Sequence, residues 1–306
     1  MTNPATRSGH IALAGLPNVG KSTLLNTLVG EHLAIVSPKA QATRLPVVGV
    51  RTDGDVQFVF HDLPGLLDPG YLMQQRMRTA ALDQLAKSDI VLYLHPANEA
   101  PAPPFTEVAR LARAPKADLV LVYTKGDRVT IEERQRLRET GALVTAENGE
   151  GVQELLDRLG AMLPERPFEF DPEDVGTQPM RFFVTEYLRE AAFQLLEEEV
   201  PYSFAAQVEE FREDDRPVYI RVTLYVERET QKAIVIGAGG RTIKALGTHA
   251  RTRLEQLMGL PVYLDCWVKV IPNWRKNAAA LSRLGFPDSD SVHDLASLTR
   301  FEPGRS

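Results

Sequence analysis

The segment Gly15-Leu16-Pro17-Asn18-Val19-Gly20-Lys21-Ser22 follows the apolar run Ile11-Ala12-Leu13-Ala14 and precedes Thr23-Leu24-Leu25-Asn26-Thr27-Leu28. This order predicts a strand, a glycine-rich loop and a helix, which is the context that a phosphate-binding loop requires. Glycines let backbone N–H groups turn toward phosphate, and the helix N-terminus adds a positive dipole end. Lys21 would then reach the β- and γ-phosphates, and the Ser22 hydroxyl would ligate Mg²⁺. An ordinary glycine-rich turn is the alternative, but all four fixed positions of the motif match, which favours the phosphate loop.

Length and composition indicate two globular domains and no membrane span. At 306 residues the chain is long enough for each domain to bury a core. No apolar run approaches the roughly 20 residues that a membrane-spanning helix needs, and the N-terminus lacks the apolar core of a signal peptide. Cys266 is the only cysteine. We therefore expect a cytoplasmic protein without internal disulfides, in which Cys266 packs in a core and is not a nucleophile.

Charge is distributed unevenly along the chain. The formal net charge of −6 argues against indiscriminate nucleic-acid binding, and no DNA partner is predicted. Residues 165–215 carry 15 acidic and 4 basic side chains, whereas residues 228–276 carry 9 basic and 3 acidic ones. The second range is therefore the candidate for a local basic surface.

Strand and helix patterns alternate through the first 166 residues, which predicts an α/β domain with a mostly parallel sheet and helices on both faces. Asp53-Gly54-Asp55 separates two strand-like runs as in a hairpin, and the second run ends at Asp62-Leu63-Pro64-Gly65. Two later strands end in Thr124-Lys125-Gly126-Asp127 and Thr145-Ala146. All of these segments are expected at the carboxyl edge of the sheet, where open α/β sheets bind ligands.

A second, α+β domain is predicted after a proline-rich and acidic linker at residues 167–179. Apolar residues at helical spacing (Phe183, Tyr187, Leu188, Ala191 and Leu195) predict a helix over residues 180–200 that Pro201 ends. Two strands, a short apolar segment, Gly237-Ala238-Gly239-Gly240, a helix and a last strand follow. The domain is assigned to residues 180–276, and residues 277–306 are expected to be a short helix followed by a partly disordered extension.

The first domain resembles the translation-factor-like GTPases. The resemblance implies that Thr43 closes on Mg²⁺ and the γ-phosphate, that Asp62 holds Mg²⁺ through water, and that the Gly65 N–H senses the γ-phosphate. It also implies that Asp127 reads the two donors of guanine, while Lys125 lies along the base and the Ala146 backbone meets the guanine carbonyl.

Three positions depart from the pattern of that family. Thr124 replaces the usual Asn and supplies only one hydrogen bond, so weaker base affinity is expected. Thr145 replaces Ser, which should matter little because the contact comes from the backbone. Leu66 occupies the place of the water-orienting Gln of Ras-like GTPases, so slow hydrolysis by this domain alone is expected.

The second domain resembles the type II KH domain, whose signature is a Gly-x-x-Gly loop with nearby basic residues, here Arg241 and Lys244. Small residues let a nucleic-acid backbone approach, and a helix N-terminus favours phosphate. A helix-to-helix turn with solvated basic residues is the alternative. Trp274 either stacks on a base or packs the end of the domain, and packing is slightly favoured.

Taken together, the chain resembles the bacterial Era-like GTPases over residues 9–286. The resemblance implies binding near the 3′ end of 16S ribosomal RNA, a role in maturation of the small (30S) ribosomal subunit, and peripheral association with the inner membrane. Asn18 matches the phosphate-loop asparagine of relatives that K⁺ activates, so K⁺ joins Mg²⁺ and GTP/GDP as an expected cofactor. The different-class alternative is an RNA-binding module with a vestigial nucleotide domain, which Thr124 and Leu66 make conceivable.

The candidate site residues fall into four sets. The expected catalytic residues are Asn18, Lys21, Thr43, Asp62 and Gly65. The expected nucleotide-binding residues are Gly15, Asn18, Val19, Gly20, Lys21, Ser22, Thr23, Asp62, Thr124, Lys125, Asp127, Thr145 and Ala146. The expected Mg²⁺ ligands are Ser22, Thr43 and Asp62. The expected RNA-binding residues are Lys232, Gly237, Ala238, Gly239, Gly240, Arg241 and Lys244.

Overall fold

The N-terminal part of the chain folds around a six-stranded sheet. The computed structural model describes residues 6–39 and 41–288. The strands are β1 Arg7–Ala14, β2 Val47–Asp53, β3 Val56–Asp62, β4 Ile90–Pro96, β5 Asp118–Thr124 and β6 Ala142–Leu143. They lie in the order β2-β3-β1-β4-β5-β6, with β2 antiparallel to β3 and the other pairs parallel. The carboxyl ends of β1, β3, β4, β5 and β6 therefore meet at one edge.

Helices cover both faces of this sheet. They are α1 Lys21–Val29, α2 Leu72–Lys87, α3 Phe105–Val108, α4 Ile131–Thr140 and α5 Val152–Met162. Along β1, Ile11 and Leu13 belong to a core that includes residues of α1 and α5, while Ala12 and Ala14 belong to a second core with residues of α2 and α3. This alternation follows from the two-residue period of a strand that is buried on both sides. The predicted α/β fold is confirmed.

Helix α2 is absent from the sequence-based prediction. Its buried residues include Arg76 among Met73, Met77, Ala81, Leu82 and Leu85. A buried arginine interrupts the apolar pattern by which an amphipathic helix is detected. Arg76 is tolerated there because it pairs with Asp288 at 2.6 Å and donates to the Phe286 carbonyl at 3.3 Å.

The C-terminal part is a three-stranded sheet with helices packed on it. Its strands are β7 Ala205–Arg212, β8 Val218–Val226 and β9 Val262–Val270, and its helices are α6 Met180–Leu195, α7 Val200–Ser203, α8 Glu229–Ile236, α9 Arg241–Met258 and α10 Ala278–Arg283. β8 lies in the centre, antiparallel to β7 and parallel to β9. Val222 and Leu224 of β8 share a core with Leu188 of α6 and Leu246 of α9. The predicted order of elements is confirmed, and α10 matches the short helix expected after residue 277.

The end of α6 differs from the prediction. The helix stops at Leu195, which is 45% exposed rather than part of the buried stripe, and Pro201 lies in the first turn of α7. Proline fits a first helical turn because its missing N–H has no intrahelical partner there. Three consecutive glutamates at residues 197–199 separate the two helices, and acidic side chains oppose the dipole at a helix C-terminus.

The predicted linker is held along the first domain. The Gln57 amide oxygen accepts from the backbone N–H groups of Glu169 (2.8 Å) and Phe170 (3.1 Å). The backbone N–H of Val50 donates to the Val175 carbonyl at 3.0 Å. This part of the chain therefore follows β2 and β3 before α6 begins. Of the predicted disordered tail, residues 289–306 lie outside the described part of the chain.

Candidate functional site

A cavity of about 360 Å³ opens at the carboxyl edge of the large sheet. It is lined by the predicted residues Asn18, Gly20, Lys21, Ser22, Thr23, Thr43, Gly65 and Lys125, together with Pro17, residues 35–38, Gln41, Ala42, Arg128 and Glu147. A volume of this size suits a nucleotide-sized ligand. The phosphate loop, the segment that contains Thr43 and the loop after β5 thus surround one space.

Three oxygen-bearing side chains converge at the phosphate-loop end of the cavity. The Ser22 hydroxyl donates to Asp62 Oδ2 at 2.6 Å, and the Thr43 hydroxyl donates to the same oxygen at 3.0 Å. The two hydroxyl oxygens are 3.1 Å apart. Burial raises the pKa of the Asp62 carboxyl, and the nearby Lys21 ammonium partly offsets this effect.

These residues fit a Mg²⁺ ion that phosphate helps to hold. Asp62 is fully buried, and its Oδ1 has no hydrogen-bond partner within the described residues. A carboxylate and hydroxyl oxygens are the ligand types that Mg²⁺ takes, with phosphate and water completing the shell. No group of three or more His, Cys, Asp or Glu side chains that could hold a metal occurs in the described ranges. A single carboxylate therefore agrees with binding that depends on nucleotide.

Lys21 lies at the floor of the cavity and is 6% exposed. Its ammonium group donates to the carbonyl oxygens of Leu16 (2.8 Å) and Gly15 (3.3 Å), both in its own loop. Burial lowers its pKa to about 8, although the Asp62 carboxylate acts in the opposite direction. The structure therefore places a buried cation among backbone groups, where phosphate oxygens would give it better partners.

The base-reading residues divide between open and buried positions. Asp127 is exposed in a short turn outside the described cavity lining, whereas Lys125 lines the cavity and its ammonium donates to the Asn18 carbonyl at 2.6 Å. Thr124 is 2% exposed, and its hydroxyl donates to the Val19 carbonyl at 2.6 Å. The structure thus places Thr124 as a tie to the phosphate loop rather than as a side chain open to the base. The Ala146 carbonyl accepts from the Thr27 hydroxyl at 2.7 Å, so the loop after β6 is anchored to α1.

Gly65 and Leu66 have opposite surroundings. A Cβ at Gly65 would lie 2.8 Å from Pro17 Cγ, so a larger residue would push the phosphate loop away. Leu66 is 2% exposed and packs with Ala14 and Leu63 in the second core. Its side chain therefore fills the interior and cannot position water at the nucleotide.

The Gly-x-x-Gly loop joins α8 to α9 at the surface. Gly237 has φ +72°, and a Cβ there would lie 2.2 Å from the Thr242 hydroxyl oxygen, so only glycine fits. Ala238 and Gly239 are exposed, as are Arg241 and Lys244 in the first turn of α9, whereas Lys232 is half-buried. The loop therefore exposes backbone, basic side chains and the N-terminus of an 18-residue helix together.

The segment around Thr43 is held by the C-terminal domain. The Lys39 ammonium donates to the carbonyl oxygens of Phe193 (2.7 Å) and Leu196 (2.5 Å) at the end of α6. The Arg44 guanidinium donates to the Phe204 carbonyl at 2.7 Å and lies over the Trp274 ring.

Further contacts reach the same segment. His32 Nε2 lies 2.9 Å from the buried Glu190 carboxylate, and the Tyr187 hydroxyl donates to the His32 carbonyl at 2.8 Å. Arg189 donates to the Ala42 carbonyl. Residues on both sides of Thr43 are thus bonded to the C-terminal domain.

Helix α2, which begins seven residues after Gly65, also contacts that domain. Met73 and Met77 of α2 share a buried cluster with Trp274, Leu281 and Phe286. Trp274 is fully buried, and its Nε1 donates to the Ser203 carbonyl at 2.8 Å, which confirms the expectation that it packs. Cys266 is half-buried, and burial raises the pKa of its thiol to about 12, so it is no nucleophile at neutral pH.

These interdomain side chains were missed by the sequence analysis. Glu186, Arg189 and Glu190 all lie in the buried part of α6. Three charged residues within an apolar helical stripe are unusual because buried charges need partners. That departure was the one signal in the sequence that could have identified them.

A phosphate loop, a carboxylate at the end of β3 and a lysine-aspartate base loop, followed by a helix-Gly-x-x-Gly-helix fold, define a GTPase with a C-terminal KH domain. Residues 10–125 match the family described as 50S ribosome-binding GTPase, and residues 199–275 match the KH domain family.

The chain belongs to the GTPase Era family. It is 38% identical over 294 residues to GTPase Era of Carboxydothermus hydrogenoformans, covering 92% of this chain and 98% of that protein. GTPase Era of Thermotoga petrophila is also 38% identical, with the same coverage. The chain is thus a GTPase.

Two solved structures have the same fold over nearly their whole length. Era in complex with MgGDPNP and nucleotides 1506–1542 of 16S ribosomal RNA has a TM-score of 0.87 at 32% identity, covering 92% of this chain and 99% of that one. A single-residue variant of Aquifex aeolicus Era bound to GDP.AlF4- has a TM-score of 0.85 at 32% identity, with the same coverage.

Proposed function

We propose that this GTPase is a nucleotide-controlled switch that binds the 3′ end of 16S ribosomal RNA and assists maturation of the 30S subunit. The observation that carries the proposal is the double contact between the domains. The segment around Thr43 lines the nucleotide cavity, and helix α2 follows Gly65 in sequence. Both contact the KH domain. A change at the γ-phosphate can therefore alter how the KH domain sits.

The residues that line the cavity support the following nucleotide roles. When bound, Mg²⁺ neutralises charge on the β- and γ-phosphates, and Ser22, Thr43 and Asp62 would hold it. Lys21 binds the same phosphates, and the N–H of Gly65, which also lines the cavity, senses the γ-phosphate. A hydroxyl that donates its proton to Asp62 keeps lone pairs for a metal ion, so Ser22 and Thr43 would hold the ion without breaking these hydrogen bonds. Thr43 would then be fixed beside the ion, in the segment that Lys39 and Arg44 tie to the KH domain.

Base selection is assigned to the loops after β5 and β6. The Asp127 carboxylate accepts from the ring N–H and the exocyclic amine of guanine, and Lys125 lies along the base. Thr145 and Ala146 supply backbone contacts. Thr124 supports them indirectly, by fixing the phosphate loop to β5.

Leu66 cannot orient the attacking water, so another group must stabilise the transition state of hydrolysis. Asn18 lines the cavity and donates to the Pro38 carbonyl at 2.9 Å, so its amide lies between the phosphate loop and the segment before Thr43. We propose K⁺ at this place, where it would offset developing phosphoryl charge.

The potassium proposal is tested by the hydrolysis rate in KCl and NaCl at equal ionic strength. Faster turnover in K⁺ is expected, and the difference should vanish in Asn18→Ala. The control Gln153→Ala removes an exposed amide side chain of α5 that is not among the described residues lining the cavity. Equal wild-type rates in the two salts would refute the role of K⁺.

RNA binding is assigned to the loop between α8 and α9. Ala238 and Gly239 let a nucleic-acid backbone approach, and Arg241, Lys244 and Lys232 supply positive charge. A KH groove holds about four single-stranded nucleotides. The related Era structure contains a 16S ribosomal RNA fragment, which supports the same RNA here.

Crosslinking the protein to RNA in cells and reading the bound sequences tests the identity of the RNA. The 3′ end of 16S ribosomal RNA should dominate the crosslinked reads. If another RNA is enriched and reads from the 3′ end of 16S ribosomal RNA stay at background, the proposed RNA target is wrong. The chain would then be a GTPase whose KH domain binds a different RNA.

Location in the cell remains a prediction. None of the helices within the described residues is long and apolar enough to cross a membrane. We propose a cytoplasmic protein that associates peripherally with the inner membrane. Separation of cell extract into membrane and soluble fractions, with and without high salt, tests this proposal.

A further inference from the structure

A second cavity lies between the two domains, away from the nucleotide site. Its volume is about 380 Å³, and it is bounded by residues 44–45, the first turns of α6, the start of β7 and the segment after α10. Its charged lining residues are Arg44, Arg181, Glu186, Arg189 and Arg283. Four guanidinium groups and one carboxylate give this cavity an excess of positive charge.

The two inner arginines are buried. Arg44 is 4% exposed and Arg189 is 5% exposed. Arg189 pairs with Glu186, the one carboxylate among the described lining residues, and its Nε is buried without a hydrogen-bond acceptor in that part of the chain. Arg44 donates to the backbone carbonyls of Pro201, Tyr202 and Phe204.

The arrangement leaves buried positive charge without full compensation. Burial lowers the pKa of Arg44 well below its ordinary value, and the neighbouring Arg189 guanidinium lowers it further. One carboxylate cannot neutralise two buried guanidinium groups. An anion in the cavity would supply the missing charge.

The outer arginines and the apolar wall of the cavity indicate the chemical class of such an anion. Arg181 is exposed, and its guanidinium lies over the Phe211 ring, so its donors are open to a ligand. Arg283 is held by Gln207 (3.0 Å) and the Tyr225 hydroxyl (2.9 Å), and its guanidinium lies 3.8 Å from the Glu209 carboxylate, outside the described lining. Apolar wall area comes from Leu45, Phe182, Leu284 and Phe286.

We propose that this interdomain cavity binds a small organic phosphate, with Arg181 and Arg283 contacting the phosphoryl oxygens and the apolar wall contacting the carbon skeleton. A phosphoryl group has three acceptor oxygens and can bond guanidinium groups from more than one side. A carboxylate has two oxygens in one plane and suits a single guanidinium fork better. The ligand would sit beside residues 44–45, which directly follow Thr43.

The test uses the full-length protein saturated with GDP and Mg²⁺, so that the nucleotide site is blocked. Ribose 5-phosphate is titrated by calorimetry, and gluconate serves as the carboxylate of similar size. We expect saturable binding of ribose 5-phosphate. The affinity for gluconate should be lower by a factor of about ten or more. In Arg181→Ala/Arg283→Ala, the affinity for ribose 5-phosphate should fall about tenfold or more.

The matched control is Arg113→Ala/Arg136→Ala, which removes two exposed arginines of the GTPase domain and should bind as wild type does. Absence of saturable binding to wild type would overturn the proposal. Equal affinity in the Arg181→Ala/Arg283→Ala variant, or equal affinity for gluconate, would also overturn it. A variant that loses only RNA affinity would assign these arginines to RNA instead.

Discussion

Lys21 is a buried cation whose ordinary partner, phosphate, is replaced by carbonyl oxygens of its own loop. Its pKa of about 8 in the free protein should rise when anionic phosphates surround it. Nucleotide binding should therefore take up a proton, and affinity should fall as the pH rises above 8. Burial also lowers the pKa of Lys125, which makes this residue the natural comparison for Lys21.

Calorimetry of GDP binding in two buffers of different ionisation enthalpy measures that proton uptake. At about pH 8.3, where guanine remains mostly protonated, binding of one GDP should take up about half a proton or more. The Lys125→Ala variant is the control, and it should retain the part that belongs to Lys21. No proton uptake in either protein would contradict the assigned state of Lys21.

Asp127 is the residue that we expect to select guanine over other bases. Replacing it with asparagine turns one acceptor oxygen into a donor, which suits xanthine and not guanine. Asp127→Asn should lose on the order of 3 kcal/mol of GTP binding, roughly a hundredfold, and should gain affinity for xanthosine triphosphate. Asp118→Asn, at the other end of β5, is the matched control. If GTP affinity is unchanged in Asp127→Asn, this residue does not contact the base.

The α8–α9 loop is the element on which RNA binding depends. Gly239 and Gly259 have φ +61° and +65°, and an added Cβ would meet no atom within 4 Å at either. Gly239→Asp and Gly259→Asp therefore introduce the same charge and similar backbone strain at opposite ends of α9. Only the first should weaken RNA binding, because a charge about 5 Å from a phosphate repels it by roughly 3 kcal/mol before salt screening.

Titration of a labelled single-stranded RNA from the 3′ end of 16S ribosomal RNA distinguishes these variants. GTP affinity should be unchanged in both, since the nucleotide site lies in the other domain. Similar loss of RNA affinity in the two variants would indicate a general effect of charge, and the Gly-x-x-Gly loop would then be only a turn.

Elements with strong local signals were predictable from the sequence, and elements that depend on interdomain partners were not. The apolar period and flanking residues predict a helix over residues 152–162 and a strand over residues 218–226, and these are the observed bounds of α5 and β8. α2 was missed because Arg76 is stabilised by residues of the distant α10 segment. The end of α6 was misplaced because Pro201 begins a new helix.

The nucleotide site shows the same division. The motif residues meet at one sheet edge because strand order brings them there, and that order follows from the α/β pattern. The burial of Thr124 against Val19 depends on how closely β5 approaches the phosphate loop, which no local pattern records. The ties that Lys39 and Arg189 make were equally invisible.

The whole molecule is organised so that the nucleotide-binding loops and the KH domain share contacts. Lys39 bonds the two carbonyls at the end of α6, and Arg44 bonds the carbonyls of Pro201, Tyr202 and Phe204 next to β7. Helix α2 packs on Trp274 and α10. A GTP-dependent change in residues 31–46 therefore has a direct route to the KH domain, and the two sites should be thermodynamically coupled.

The affinity of the full-length protein for the 16S 3′-end RNA, measured with GDP and with a non-hydrolysable GTP analogue, tests this coupling most directly. We expect the two dissociation constants to differ by about fivefold or more. The difference should shrink in Lys39→Met and persist in Lys116→Met, which changes an exposed lysine of the GTPase domain between α3 and β5. Equal RNA affinity of the wild-type protein in the two nucleotide states would contradict the claim that the chain is a GTP-controlled RNA-binding switch.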